Sequence, residues 1–419
     1  WVAGFVWNQW QPWSGIRNVA SVISGYAFKS SVFGDQGVPV IKIANIRSGY
    51  LDFSDTQKVD EENFEKLNEK YRVNPGDILI SLTGSHVTQP NSVVGRVAQA
   101  PQGLNKCLLN QRAGKVILKR KDRCDAGFLY RYLTAAAAQG AIASMASGAA
   151  SQANVSPSQV ESLPLVLPPL DKQQRIASIL SAYDDLIENN TRRIEILEEM
   201  ARRFYEEWFV HFRFPGHEEV SFKESELGEI PEGWEVVTVG DLVNIKRGKT
   251  ITKKKIEPGN VPVVAGGLRP AYYHSTANTK APLLTISASG ANAGHVSLYY
   301  DDVWASDCSF IDSSESQYVY YHYLMLKVRQ EEVTHLQRGS AQPHVYPKDV
   351  MGLQAVNAPS SLRESFMNHV DPMFRAIDTL LKKNVNLRAQ RDLLLPKLVS
   401  GEIDVSDIPM PEDKEVEAA

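Results

Sequence analysis

The sequence predicts an α+β protein with two repeated mixed α/β domains, separated by a pair of long antiparallel coiled-coil helices in a pseudo-two-fold arrangement. Three observations predict this fold. The phrase GAASQANVSPSQV (148–160) returns as GSAQPHVYPKDV (339–350). Short β-branched runs precede the phrase each time, and a heptad-spaced helix follows it each time. The repeat therefore organises the whole chain.

The repeat keeps a constant register well beyond the phrase. Gln152 lies 190 positions before Gln342, and the same spacing relates Leu197 to Leu387. A constant register over about fifty positions indicates a duplicated unit. We predict a first globular block (1–164), a long helix (165–212), a linker (213–234), a second globular block (235–352), a second long helix (353–400) and an acidic tail (401–419).

Each block begins with short apolar runs broken by Gly, Pro, Asn and Asp. Their β-branched content and alternation predict strands of a mixed or antiparallel sheet. An aromatic-rich segment that we predict to be helical follows in each block. The strand runs are 38–46, 76–84 and 93–100, then 260–267, 281–290 and 295–300, and the helical segments are 128–145 and 318–333.

Each long helix carries apolar residues at alternating spacings of four and three, which is the pattern of a coiled-coil seam. An Asn interrupts each seam, and a buried Asn pairs best with another buried Asn. We therefore expect Asn190 and Asn384 to lie side by side; the alternative is that each seam packs only on its own block. The seams are Ile176, Leu180, Tyr183, Ile187, Asn190, Ile194, Leu197, Ala201, Phe204 and Trp208, and then Phe366, Val370, Met373, Ile377, Leu380, Asn384, Leu387, Arg391, Leu394 and Leu398.

Antiparallel pairing predicts a spacer between the two blocks. A helix of roughly 33 residues is about 50 Å long. That length is close to about 15 base pairs of B-DNA.

Composition excludes several protein classes. Cys107, Cys124 and Cys308 form no CxxC pair, which predicts free thiols in a reducing, cytoplasmic setting and no metal site. No apolar run is long enough to cross a bilayer, so we expect no membrane partner.

Charge is distributed unevenly along the chain. Residues 1–160 contain 17 Lys and Arg against 11 Asp and Glu, whereas residues 161–234 contain 8 against 16. Residues 235–350 carry a charge of +1 and residues 351–419 a charge of −3. The positive charge lies in the globular blocks, which is compatible with a nucleic-acid partner; the alternative is ordinary surface variation.

Catalytic motifs are absent from the sequence. An adenine methyltransferase needs Asn or Asp before a Pro-Pro-aromatic triplet, and Pro168-Pro169 follows Leu167. Gly248-Lys249-Thr250 ends like a phosphate-binding loop, but Val243 occupies the position of the first glycine. We therefore expect a binding protein without catalytic residues.

Four segments resemble the specificity subunit of type I restriction-modification systems. They are LPLVLPPLDKQQRIASILSAYDDLIENN (163–190), FYEEWF (204–209), ELGEIPEGWE (226–235) and LLLPKLVSGEI (393–403). The resemblance extends from about Val19 to Ile403 and includes the two-copy organisation. The second copy departs from the pattern, because residues 360–366 lack the Gln173-Gln174 pair.

The resemblance implies a function. Each block would be a target recognition domain that binds one half of a split, asymmetric site in double-stranded DNA. The paired helices would set the spacing and dock two methyltransferase (modification) subunits, which carry S-adenosylmethionine and methylate adenine. A restriction (endonuclease and translocase) subunit, which uses ATP and Mg, can join the complex.

Candidate DNA-binding residues lie in three pairs of loops that are rich in cations and amides. Arg and Lys suit guanine and phosphate, and Asn and Gln suit adenine. For each loop the alternative is an ordinary solvated or hydrogen-bonded turn. The candidates are Lys29 and Ser30 with Lys246, Arg247, Lys249, Thr250 and Lys253; Ser85, His86, Thr88, Gln89 and Asn91 with Asn292 and His295; and Gln152 and Asn154 with Gln342 and His344.

Two further expectations concern what the loops do. Because Gln152 and Gln342 recur in both blocks, we expect them to make a shared contact, whereas base specificity should come from positions that differ. The run Arg269, Tyr272, Tyr273 and His274 is a weaker candidate, for which half-buried strand packing is the expectation. The competing functions are a self-contained DNA-modifying or cleaving enzyme and a scaffold with two degenerate domains.

Overall fold

The structure, a computed structural model, describes residues 14–84, 94–149, 152–339 and 342–408. Packing divides the chain into two compact units. Unit 1 comprises the residues up to Ile187 together with those from Asn386 onward, and unit 2 comprises Glu188–Val385. Each unit thus contains one part of each long helix.

The long helices are α5 and α10, and the others are short. In the described residues the helices are α1 (Glu61–Lys66), α2 (Ala126–Thr134), α3 (Ala136–Met145), α4 (Pro157–Glu161), α5 (Leu170–Tyr205), α6 (Val239–Leu242), α7 (Val319–Val328), α8 (Gln330–His335), α9 (Pro347–Met351) and α10 (Ser360–Val399).

The strands are short, as the broken apolar runs predict. Unit 1 contains β1 (Ser14–Gly15), β2 (Ala20–Ser24), β3 (Val38–Ile41), β4 (Lys58–Val59), β5 (Ile78–Ser81), β6 (Thr83–Gly84), β7 (Val97–Gln99), β8 (Leu108–Leu109), β9 (Ala113–Leu118), β10 (Ser147–Ala149), β11 (Gln152–Asn154) and β12 (Pro164–Leu165). Unit 2 contains β13 (Phe222–Ser225), β14 (Gly228–Pro231), β15 (Glu235–Thr238), β16 (Lys246–Arg247), β17 (Val261–Val264), β18 (Tyr272–His274), β19 (Leu283–Ser287), β20 (Val296–Tyr299), β21 (Trp304–Ala305), β22 (Cys308–Asp312) and β23 (Gln354–Asn357).

The two units share one sheet topology. The main sheet of unit 1 is antiparallel with strand order β2-β9-β5-β7, and that of unit 2 has the order β16-β22-β19-β20. In both sheets the strand that comes first in the chain pairs with the strand that comes last, β2 with β9 and β16 with β22, and the other two strands complete the sheet. A second sheet has one parallel and one antiparallel pairing in each unit, β4-β3-β8 and β18-β17-β21. The predicted mixed α/β repeat is confirmed.

Each unit has its own hydrophobic core, to which the long helices contribute. In unit 1, Ile176 and Leu180 of α5 and Leu398 of α10 pack in one cluster with Phe128 of α2. In unit 2, Ile194 and Ala201 of α5 share a cluster with Phe366 and Ile377 of α10. The seam residues of both helices are buried or half-buried throughout.

The helix segments run antiparallel within each unit. In unit 2 the ring centroids of Phe204 and Phe366 are 5.8 Å apart, and Asn190 Nδ2 donates to Asn384 Oδ1 at 2.9 Å. Residue numbers therefore rise along α5 as those of the contacted residues fall along α10. Asn384 also donates to Thr191 Oγ1 at 3.3 Å. The structure thus brings the two seam asparagines together.

In unit 1 ion pairs connect α5 with α10 and with α2. Arg391 on α10 donates to Asp184 on α5 at 2.5 Å, and Arg131 on α2 also pairs with Asp184. The side chain of Arg131 is only 10% exposed. Beyond α10, Asp404 pairs with Lys172 at 3.2 Å. The first residues of the predicted acidic tail therefore pack on unit 1, and the predicted tail beyond Ile408 lies outside the described residues.

The start of each long helix is held differently in the two units. Gln173 is fully buried and donates to the carbonyls of Arg123 (2.9 Å) and Pro168 (2.7 Å), while its oxygen accepts from the amide of Asp125 at 2.9 Å. Arg363 lies 190 positions later, and its guanidinium stacks on the Tyr318 ring at 5.5 Å. This is where the second copy departs from the Gln-Gln pattern.

The predicted linker contributes to the core of unit 2. It contains the β13–β14 hairpin, and Phe214, Ile230 and Trp234 are buried in the unit 2 cluster. The rings of Phe214 and Trp234 stack at 5.3 Å. Among the described residues, no helix is both long and apolar enough to cross a membrane.

Candidate nucleic-acid interface

In unit 1 the repeated phrase forms strand β11, which pairs with β6. Ala153 lies opposite Gly84, the Val155 amide donates to the Leu82 carbonyl at 2.9 Å, and Thr83 Oγ1 donates to Asn154 Oδ1 at 2.8 Å. Asn154 is otherwise exposed. Backbone pairing therefore fixes the segment, and the exposed Asn154 remains at the surface.

The loop that follows β6 was predicted to bind DNA. Its candidates, Ser85, His86, Thr88, Gln89 and Asn91, lie outside the described residues, and so does the side chain of Gln152. Strand β6 nevertheless ends directly before this loop. The described end of β6 therefore lies beside the repeated phrase.

Unit 2 builds the same arrangement. His344 lies opposite Ser289, the Val345 amide donates to the Ala288 carbonyl at 3.0 Å, and the Gly290 amide donates to the Pro343 carbonyl at 3.0 Å. Gln342 precedes this pairing and is exposed. In both units, then, the repeated phrase lies along the residues that follow a central strand of the main sheet.

The turn between β19 and β20 holds Asn292 and His295, and both are half-buried. Asn292 Nδ2 donates to the Gly266 carbonyl at 3.4 Å, and the His295 amide donates to the Asn292 carbonyl at 2.9 Å. Burial and the nearby Lys327 lower the pKa of His295, which favours the neutral form of its ring. These contacts fit the predicted alternative, a hydrogen-bonded turn.

The two basic loops begin at equivalent glycines, Gly25 and Gly248. A Cβ atom at Gly25 would lie 2.3 Å from the Leu109 carbonyl oxygen, and one at Gly248 would lie 2.4 Å from that of Ser306. Only glycine permits such close approach of two backbones. Each loop then forms a 3-10 turn, at Ser30–Val32 and at Lys253–Lys255. The candidates Lys29, Ser30, Lys249, Thr250 and Lys253 are all exposed on these loops.

Lys246 and Arg247 are adjacent on strand β16 but have different surroundings. Lys246 pairs with Glu315, and this contact raises the pKa of Lys246. The Arg247 guanidinium lies 5.8 Å from the centroid of the Tyr346 ring. The Tyr346 ring in turn stacks on His344, with centroids 6.1 Å apart and an interplanar angle of 21°. The structure therefore brings two predicted candidates, Arg247 and His344, together around one tyrosine.

The run from Arg269 to His274 divides into buried and exposed residues. His274 is buried, and its Nδ1 accepts from the Glu257 amide at 3.1 Å. Tyr272 and Tyr273 are 41% and 57% exposed. The expected strand packing holds for His274 and is wrong for the two tyrosines, because they lie on β18, an edge strand of its sheet.

Sequence reasoning missed two residues of this surface, Thr83 and Tyr346. Tyr346 occupies the place of Ser156, and both residues directly precede a Pro that begins a short helix. A comparison of the two copies position by position would have found Tyr346, because an aromatic residue there breaks the repeat.

The cysteines lie apart from this surface in the core. Cys107, Cys124 and Cys308 are free and buried, and burial raises the pKa of each thiol to about 12. Over the described ranges, no cluster of His, Cys, Asp and Glu side chains suits a metal ion.

Comparison with known proteins identifies the family. The model of the type I restriction modification DNA specificity domain matches residues 9–199 and 231–354. The chain belongs to this family. Each matched range of the DNA specificity domain contains one copy of the repeated phrase, so both surfaces described above lie in the parts that define the family. The resemblance inferred from sequence is confirmed.

Several relatives are similar to this chain. The MjaIX specificity subunit of Methanocaldococcus jannaschii is 27% identical over 272 residues, which are 60% of this chain and 63% of that protein. The putative MjaX specificity subunit of the same organism is 31% identical over 205 residues, 49% of this chain and 46% of that protein. The matched part therefore spans less than two thirds of these curated relatives.

A solved structure shares the fold. The crystal structure of the type I restriction-modification system S subunit from M. genitalium aligns with 93% of this chain and 96% of its own, with a TM-score of 0.57 and 18% identity. The likeness supports the two-copy mixed α/β fold with long helices.

Proposed function

We propose that this chain is the DNA sequence-specificity subunit of a type I restriction-modification complex and binds a bipartite, asymmetric DNA site. One observation carries the proposal. Two units with the same strand order present the same paired segment, at 82–84 with 153–155 and at 288–290 with 343–345, but with different side chains. A shared scaffold with different surface residues suits two domains that bind different half-sites.

The contacts divide by chemistry. Exposed lysines such as Lys29, Lys249 and Lys253 suit phosphate oxygens, which position a protein on DNA without specifying sequence. Gln152 and Gln342 recur and suit a contact common to both half-sites. Asn154 and His344 occupy the same place and differ, so they suit base readout.

The long helices suit a spacer. Their antiparallel contacts in each unit, and the buried Asn190–Asn384 hydrogen bond of 2.9 Å in unit 2, would hold one register. A fixed register would set the number of base pairs between the half-sites.

The outer faces of the same helices suit partner subunits. Ile196, Met200 and Val385 in unit 2 are 58%, 47% and 63% exposed, and Leu186 and Leu393 in unit 1 are 51% and 67% exposed. Ile196 and Met200 are one turn apart on α5, and neighbouring exposed apolar side chains of this kind suit a protein contact. In this proposal two modification subunits dock there and supply S-adenosylmethionine, while a restriction subunit supplies ATP and Mg chemistry.

Methylome sequencing of the host with and without this chain tests the proposal. One bipartite methyladenine motif should disappear when the chain is removed and return with the intact gene. The isolated chain should transfer no methyl group from S-adenosylmethionine to DNA. An unchanged methylome would contradict the proposal, and methyl transfer by the isolated chain would support a self-contained enzyme.

A further inference from the structure

Arg247 is held differently from every lysine near it. It lies on β16, an edge strand of the main sheet, and pairing with Ser309 fixes its position in the sheet. Successive side chains of a strand point to opposite faces. Lys246 accordingly pairs with Glu315, and Arg247 lies over Tyr346. In the described part of the chain, no ion pair is recorded for Arg247.

The tyrosine beneath Arg247 is itself anchored. Tyr346 stacks on His344, and the backbone of His344 exchanges hydrogen bonds with Arg338 at 2.8 and 2.9 Å. Arg338 pairs with Asp349 at 2.6 Å. An exposed guanidinium over an anchored ring loses less conformational freedom on binding than a free side chain, because stacking already restricts it.

Unit 1 has none of these three side chains at the equivalent positions. Ser24 pairs with Gly114 in the sheet of unit 1, just as Arg247 pairs with Ser309 in unit 2. The next residue in each case is the glycine at which two backbones approach closely, Gly25 or Gly248. Asn154 takes the place of His344, and Ser156 takes that of Tyr346. The backbone is shared, and the Arg-Tyr-His stack belongs to unit 2.

We infer that Arg247 is a specificity-determining residue that recognises a guanine in the half-site bound by unit 2, with Tyr346 as its positioning residue. The planar guanidinium can donate two parallel hydrogen bonds to O6 and N7 of guanine in the major groove. Phosphate contacts are expected at positions that recur as cations or amides, whereas a side chain unique to one unit suits sequence readout. This inference rests on the proposed function, and for Arg247 it selects guanine over phosphate, the two partners that suit an Arg side chain.

The test selects DNA from a duplex library in which both half-sites are randomised. The protein is the full chain purified with its modification subunits, as wild type, Arg247→Gln, Tyr346→Ala and Tyr346→Phe. Arg247→Gln should relax the preference at one guanine of one half-site, with a loss of about 10- to 100-fold in discrimination. Tyr346→Ala should lose part of that discrimination, and Tyr346→Phe should stay closer to wild type because the ring remains.

Two matched variants separate the explanations. Ser24→Ala, at the same rung of unit 1, should leave the preference at that guanine intact. Lys253→Ala should weaken binding to all sequences alike and reduce the salt dependence by about one phosphate contact.

Each other outcome has one meaning. If Arg247→Gln weakens binding equally for every sequence and lowers the salt slope, Arg247 is a phosphate clamp and the inference is wrong. If the selected motif is unchanged, the inference is also wrong, and the proposed function stands in both cases. If the wild-type complex selects no motif, the proposed function itself fails.

Discussion

Units 1 and 2 share their strand order but stabilise their long helices by opposite chemistry. In unit 1, Asp184 on α5 lies between the guanidinium groups of Arg131 and Arg391. In unit 2 the residue 190 positions later is Phe374, whose ring stacks on Tyr320 at 4.3 Å and 13°. One backbone position thus carries a carboxylate in one copy and an aromatic ring in the other.

The difference shows what a duplicated fold must keep. Backbone pairing and the close approaches at Gly25 and Gly248 recur, because they define the chain path. The chemistry of the side chains at equivalent positions can differ between the units when the residues that contact one another there differ together. An ion triad and an aromatic stack can both fill such a site, since a buried ion group is often replaceable by apolar residues of similar volume.

The largest expected loss of stability comes from removing the aromatic stack of unit 2. Phe374 is 1% exposed, so Phe374→Ala should leave a cavity and lower the free energy of unfolding by about 3–5 kcal/mol. Chemical denaturation gives the size, and hydrogen exchange should localise the loss to unit 2. Phe374→Leu, which keeps most of the volume, is the control. Equal losses for both variants would contradict a packing role.

Removing the ion pairs of unit 1 should lower the free energy of unfolding slightly less. Asp184→Ala leaves Arg131 and Arg391 without their shared carboxylate, at a cost of about 3 kcal/mol for a partly buried group. Asp184→Asn should retain part of the stability, because its oxygen can still accept a hydrogen bond. Hydrogen exchange should place this loss in unit 1. A neutral result for Asp184→Ala would show that the triad is merely tolerated.

The helix starts sharpen the comparison further. Gln173→Ala leaves the carbonyls of Arg123 and Pro168 and the amide of Asp125 without this buried partner, which should cost about 2 kcal/mol. Arg363→Ala removes only stacking on Tyr318 and should cost less than about 1 kcal/mol. The two values come from matched denaturation curves. A larger loss for Arg363→Ala than for Gln173→Ala would mean that Arg363 stabilises the start of α10 more than Gln173 stabilises the start of α5.

A pH effect should appear in unit 2 alone. Burial, with a contribution from Arg363, lowers the pKa of His322 on α7 to about 3. Below about pH 6.5 the unfolded chain gains a proton that the folded chain does not, so the free energy of unfolding should fall by about 1.4 kcal/mol per pH unit. Helix α2 of unit 1 has no histidine. His322→Leu should remove this part of the slope between pH 6.5 and 5; an unchanged slope would place the titration elsewhere.

Much of this architecture could be predicted from sequence. Alternation located the central strands, the heptad spacing located both seams, and the repeat predicted equivalent domains. Local patterns could not predict that Ala135 separates α2 from α3, because that break depends on packing. Nor could they pair Lys246 with Glu315 or Arg247 with Tyr346, because those contacts join residues that are distant in sequence.

The hydrogen bond between Asn190 and Asn384 has a consequence for length. One amide donates and the other accepts, so this contact forms at a single alignment of the two helices. Sliding one helix past the other by one heptad would break this hydrogen bond, leave neither amide opposite the other, and shift the helices by about 10 Å. If the helices act as the proposed spacer, such a shift would change the distance between the half-sites by about three base-pair steps, and the asparagine pair would prevent it.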